Sequence, residues 1–254
     1  MSNTSSTPGT PPPALCLSLP DRVSAWTDGS LDPREWADQD YEWFRYADAR
    51  YRASVVSRHP QHPIAPIRVA VKDAVDVAGL PTRLGLRHYR HYPLRSAAVL
   101  DALPMDLADI TMKSVTTELN IGIGAGCVNP LFPHIDPGGS STGSGVAIAA
   151  NLCDLALGTD VLGSVRWPAA HCGVVGLRVT HSSALLPGVF PLSPQWTPRV
   201  GCSHGGRPGL SVVATGAGHV RPGAATTPER GPSRPRHQRA LRRELREPRD
   251  ARSR

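Results

Sequence analysis

The stretch from Pro137 to Leu177 restricts the fold of this 254-residue chain more than any other part of it. It opens with Pro137-Gly138-Gly139-Ser140-Ser141-Thr142-Gly143-Ser144, a loop too rich in glycine to be a strand. Gly145 to Leu152 follows with helix-forming composition, its small residues suited to close packing. The apolar run Leu155-Ala156-Leu157 predicts a short buried strand that Gly158 stops. A loop, a small-residue helix and a buried strand within so few residues point to a layered α/β domain.

The segments before it agree. Residues 31–60 set Trp36, Tyr41, Trp43, Phe44 and Tyr51 among charges, the pattern of an amphipathic helix. The β-branched run Ile67 to Val71 predicts a strand ending at Lys72, and Val75-Asp76-Val77 a second one before Gly79 and Pro81. Ser96 to Leu103 suits a short helix, Ile110 to Met112 a buried strand leading to Lys113, and residues 121–142 a loop. There are no internal repeats.

The two ends differ from this body. Residues 1–20, rich in Ser, Thr and Pro, are expected to be a disordered leader. Residues 197–254 hold 13 Arg, no Lys, 4 acidic residues and no aromatic residue, a net of +9 within a whole-chain +7. The rest of the chain is therefore slightly acidic, and the basic balance says nothing about the folded part. The tail is expected to be disordered, because it cannot bury enough apolar surface to offset chain entropy. Without interleaved aromatics it also lacks the stacking platforms of a nucleic-acid binder, so nucleic acid is not an expected partner. The five cysteines, Cys16, Cys127, Cys153, Cys172 and Cys202, are odd in number and show no close pairing, which predicts reduced thiols and no zinc site. No apolar run approaches the ~20 residues of a membrane span. The N-terminus has no basic n-region and carries Pro11-Pro12-Pro13, so no signal peptide is expected and the cytoplasm is the expected compartment.

Three segments, taken in order, carry a resemblance. They are Val69-Ala70-Val71-Lys72-Asp73, the loop at 137–144, and Gly158-Thr159-Asp160-Val161-Leu162-Gly163-Ser164-Val165-Arg166-Trp167-Pro168, continuing through Ala169-Ala170-His171-Cys172-Gly173-Val174-Val175-Gly176-Leu177. Together they resemble the amidase signature family of serine hydrolases over about residues 60–196. That family has V-A-V-K-D, P-G-G-S-S-G-G-S and G-T-D-x-G-G-S-I-R-x-P-A-A-x-C-G-V-V-G-L. The separation of 24 positions from Ser140 to Ser164 matches its spacing. The resemblance implies a mixed β-sheet flanked by helices, formed here by a partial amidase domain over residues 21–196 and incomplete on its C-terminal side.

It also implies hydrolysis of carboxamide C–N bonds in a small-molecule substrate, through an acyl-enzyme and with no cofactor or metal. Ser164 would be the nucleophile, Ser140 the bridging serine after a cis peptide from Gly139, and Lys72 the base. The chemistry is coherent. A serine hydroxyl needs an adjacent base, burial lowers a lysine pKa until the neutral amine can accept a proton, and a hydroxyl can both donate and accept. The backbone N–H groups of Val161, Leu162, Gly163 and Ser164 would form the oxyanion hole, with Asp160 and Arg166 bracing the turn. Lys113 matches a family lysine without a chemical role.

Two residues depart from the pattern. Leu162 and Thr142 stand where the family has glycine, and strain is expected at either if its φ is positive. Gly139-Ser140-Ser141-Thr142-Gly143 is formally a nucleophile elbow, but no strand precedes it and no Asp/His pair follows. The neighbours His171 and Cys172 suit core packing better than catalysis. The resemblance stops abruptly after Trp196. With suitable codons, a one-base shift turns the run Thr197 to Gly206 into DTAGWLLTRR, a family-like continuation, so the tail is expected to arise from a frame change that the gene sequence would reveal. The alternative to an active hydrolase is a non-catalytic, truncated or degenerate homologue of unknown oligomeric state.

Overall fold

The computed structural model of the chain describes residues 9–57, 65–180, 182–192 and 209–214, all within the unit that ends at His219. Two helices lead in, α1 (Leu19–Thr27) and α2 (Pro33–Tyr51). Each starts on an ordinary cap: Ser18 accepts from the Asp21 N–H, and Asp32 from those of Arg34 and Glu35, with Pro33 as the first helical residue. α2 ends at Arg52 in the left-handed region, φ 56°.

Six strands form one mixed sheet: β1 (Ser54–Ser57), β2 (Ile67–Lys72), β3 (Ala108–Ser114), β4 (Leu155–Asp160), β5 (Val175–Arg178) and β6 (Gly209–Ala214), in the order β1-β3-β2-β4-β6-β5. β3, β2 and β4 are parallel, with Lys72 opposite Ser114 and Val71 opposite Leu157. β1 runs antiparallel to β3, and β6 lies antiparallel to both β4 and β5. Two further helices, α3 (Thr142–Ala149) and α4 (Arg166–His171), pack against the sheet, α3 on β2 and β4 and α4 on β5.

The period of two along β2 builds two cores. Val69 and Val71 join Val75, Val99, Leu100, Ile110 and Leu157 on one face. Ala70 points the other way, into a cluster with Trp36, Trp43, Met112, Val146 and Ala156. Parallel strands covered on both faces need such nearly continuous apolar runs, and the small residues of α3 let it approach the sheet.

Four expectations need correction. The described part of the leader is ordered: Pro13–Cys16 forms a 3₁₀ turn, and Leu15, 1% exposed, fills the Trp36–Trp43 core. Behind it, Arg22 and Arg68 both pair with Asp154 and both stack on Trp36, at 4.7 and 5.6 Å. Apolar burial and paired guanidinium groups outweigh the leader's disordered composition. The tail contributes β6, whose aliphatic run finds ladder partners on both sides in the slot between β4 and β5. The rest of 197–254, Cys202 included, and residues 1–8 lie outside the described residues. Val75 to Val77 is not a strand but two isolated bridges, Val75 to Val189 and Val77 to Leu80. The Ser96–Leu103 helix is a 3₁₀ turn over Ala98–Ala102. Among the described residues no helix is long and apolar enough to cross a membrane.

Candidate active site

The parallel strands deliver their functional residues at their carboxyl ends, the edge where open α/β sheets bind ligands. β2 ends at Lys72, and β4 runs past its pairing with β2 to Thr159 and Asp160. With β3 on one side and β4 on the other, Lys72 has no route to solvent and is 0% exposed. Its Nζ lies 2.7 Å from Ser140 Oγ and 2.7 Å from Thr159 Oγ1. Burial pushes this amine down to about 7, and the charge of nearby Asp160 opposes the shift only in part. At neutral pH a large share of it is uncharged.

Ser140 is held from both sides. The peptide between Gly139 and Ser140 is cis. The Ser140 carbonyl accepts from the Thr117 N–H at 3.2 Å and from Thr116 Oγ1 at 3.1 Å. Only glycine fits at 139, because a Cβ there would stand 2.5 Å from the Gly122 carbonyl oxygen and 3.1 Å from Thr117 Cγ2. Thr142 starts α3 and donates to the Gly138 carbonyl at 2.7 Å; its φ is not positive, so the strain expected there does not arise.

The turn after β4 carries Ser164. The Ser164 carbonyl accepts from the Ser141 N–H at 3.0 Å, which ties this turn to the loop that holds Ser140. No hydrogen bond joins the two hydroxyls of Ser140 and Ser164 in this structure. Asp160, fully buried, organises the turn: its oxygens accept from the N–H groups of Gly163 (2.8 Å), Val165 (3.2 Å) and Arg166 (3.3 Å), and from the Arg166 side chain at 2.9 and 3.0 Å. Burial disfavours its charge, but the Arg166 bonds and the Val165 N–H outweigh that and hold the carboxyl below its ordinary range.

The Gly163 N–H is therefore spent on Asp160, whereas those of Val161, Leu162 and Ser164 have no partner among the described residues. Gly163, at φ 135°, is the residue of this turn that needs glycine's freedom. Leu162 does not: its φ is not positive, and its side chain is 80% exposed. The strain expected at Leu162 is absent for that reason.

Lys113, also fully buried, donates to the Val75 carbonyl at 2.7 Å and pairs with Asp73 at 3.5 Å, a structural arrangement. Cys127, Cys153 and Cys172 are buried free thiols, and Cys16 is an exposed cysteine. No group of three metal-ligating side chains occurs among the described residues. Reading the sequence alone missed Thr159 as the second partner of Lys72, and its position inside Gly158-Thr159-Asp160 was the available signal.

Lys72, Ser140 and the Asp160-braced turn that carries Ser164 thus lie together at the carboxyl edge of the mixed sheet. The amidase family model matches residues 36–195, and the chain belongs to the amidase family. It is 39% identical over 144 residues to Amidase 1 of Oryza sativa subsp. japonica, covering 52% of this chain and 33% of that one. It is 37% identical over 183 residues to one subunit of the glutamyl-tRNA(Gln) amidotransferase of Salinibacter ruber, covering 69% of this chain and 35% of that one. Among solved structures, native peptide amidase from Stenotrophomonas maltophilia superposes with a TM-score of 0.57 at 24% identity, over 68% of this chain and 42% of that one. The chain thus spans about a third of the length of these curated relatives.

Proposed function

We propose that this chain hydrolyses carboxamide C–N bonds of a small-molecule substrate through Lys72, Ser140 and Ser164. The observation that carries the reading is the buried Lys72 amine, its pKa pushed down to about 7, 2.7 Å from the Ser140 hydroxyl. Ser164 Oγ attacks the amide carbon; its proton passes to Ser140 Oγ, and the Ser140 proton passes to Lys72 Nζ. Thr159 Oγ1 accepts one Nζ–H, which leaves the lone pair of the uncharged amine free to take the Ser140 proton. The tetrahedral oxygen takes the unspent N–H groups of Val161, Leu162 and Ser164, each such donor being worth roughly 3 kcal/mol in barrier height. Collapse breaks the C–N bond while the relay returns the proton to the leaving nitrogen. Water then attacks the Ser164 ester by the same path and frees the carboxylate. Asp160, braced by Arg166, holds the turn and does not react. The free thiols suit a reducing compartment such as the cytoplasm.

A second reading, a non-catalytic homologue, is favoured by one feature: the hydroxyls of Ser140 and Ser164 share no hydrogen bond. A fluorophosphonate probe with intact-mass readout separates the two. One adduct, lost in Ser164→Ala, is the expected result; an unlabelled native chain rejects the hydrolase.

A further inference from the structure

Beside the Lys72–Ser140 relay lies a cavity of about 740 Å³ whose charged lining is Asp73, Arg83, Arg87, Arg90 and Glu118, with Thr116 and Thr117 in its wall. Its wall is continuous with the candidate site, since Thr117 and its neighbour Thr116 are the residues that hold the Ser140 carbonyl. Asp73 directly follows Lys72. The charges do not balance within it. Asp73 is compensated in part from behind, its Oδ1 taking the Arg83 N–H at 3.1 Å and facing Lys113 Nζ at 3.5 Å, while burial still raises its pKa. That leaves Glu118 against three guanidinium groups, Arg87 and Arg90 exposed like it and Arg83 half-buried; none is within ion-pair distance of a carboxylate among the described residues, although the Arg83 charge also reaches Asp73. Arg90 folds over its own turn, donating to the carbonyls of Arg87 and Tyr89. Arg83 Nε and Thr117 Oγ1, in the cavity wall, are buried with no hydrogen-bond partner among the described residues, as is the second oxygen of Asp73, Oδ2. A buried donor without an acceptor is costly, and natural structures rarely leave one so.

We propose that this cavity binds a carboxylate, and, resting on the amidase reading above, that it holds the carboxylate end of an amide substrate, the half-amide of a short dicarboxylic acid. Guanidinium groups match a carboxylate's two oxygens. A small turn of its side chain brings Thr117 Oγ1 to the same anion. Cation-bearing substrates would meet the arginines and be excluded.

The test compares succinamate, butyramide and inorganic phosphate by titration calorimetry on the full chain carrying Ser164→Ala, in low salt. Succinamate is expected to bind about tenfold or more tighter than its neutral counterpart butyramide, an advantage that shrinks as salt screens it. Arg83→Met with Arg87→Met, which keep the aliphatic stems, should reduce that advantage to parity, while Arg83→Lys keeps part of it. Thr117→Val is the control for a purely structural wall: it should weaken succinamate binding without lowering the melting temperature. Equal binding of succinamate and butyramide, or an advantage untouched by the double substitution, overturns the proposal. Phosphate binding with no succinamate binding overturns it as well. The two readings fail separately. Hydrolysis of both amides with equal kcat/KM by the native chain sinks the cavity and spares the hydrolase; preferential binding of succinamate without turnover does the reverse.

Discussion

Replacing Lys72 by Met should remove activity and, at neutral pH, make the protein more stable. The amine sits at about 7 in the fold against an ordinary 10.5. Shedding its proton on folding at pH 7 therefore costs about 5 kcal/mol, at 1.36 kcal/mol per pH unit. Methionine has similar length and carries no such cost. Against this, Ser140 Oγ and Thr159 Oγ1 each lose a partner at 2.7 Å. Those two losses together are worth roughly 1–3 kcal/mol. The net expectation is a gain of about 2–4 kcal/mol at pH 7. The sign with pH follows from linkage. A lysine whose folded pKa is depressed leaves the unfolded chain with more bound protons between about 7 and 10.5, so native stability rises through that window. The advantage of Lys72→Met should therefore shrink by about 1.4 kcal/mol per pH unit above 7. Urea denaturation of both proteins at several pH values between 7 and 10 measures it. A variant less stable than the native chain by an amount that does not change with pH would show that the amine is solvated and charged, and the relay argument would fail with it.

Other outcomes follow from the same geometry. Gly139→Ala should destabilise by about 2–4 kcal/mol and abolish probe labelling, since its methyl group meets the Gly122 carbonyl; thermal melting and intact-mass labelling check it. Leu162→Gly should change stability by less than about 1 kcal/mol and labelling only a few-fold, because Leu162 is exposed and its φ is not positive. A large gain in labelling would mean that the leucine blocks the site. The labelling rate of the native chain should rise as pH passes through about 7, the point at which Lys72 loses its proton, and level off above it; a rate flat across that range counts against Lys72 as the base.

Much of this was legible in the chain itself because it is local. The alternation in Ile67 to Val71 gave β2, the small residues from Gly145 on gave the body of α3, which starts three residues earlier, and the Gly/Ser loop and the Asp160–Arg166 turn were marked by their resemblance to family motifs. Composition misled where burial overrode it. Leu15 is ordered because it fills a core built by α2 and α3, and β6 forms because two strands flank it with free ladder positions.

What the linear order determined is which chemical groups are present and which short elements carry them. The folded chain alone decided which groups meet. Lys72 is separated by 68 residues from Ser140 and by 87 from Thr159, yet both hydroxyls lie 2.7 Å from its amine. Its pKa depends on exclusion of water by β3 and β4. Likewise, only the turn geometry commits the Gly163 N–H to Asp160 and leaves those of Leu162 and Ser164 without a partner among the described residues. Desolvation and hydrogen-bond competition are properties of atoms brought together in space, and no pattern along the chain encodes their distances.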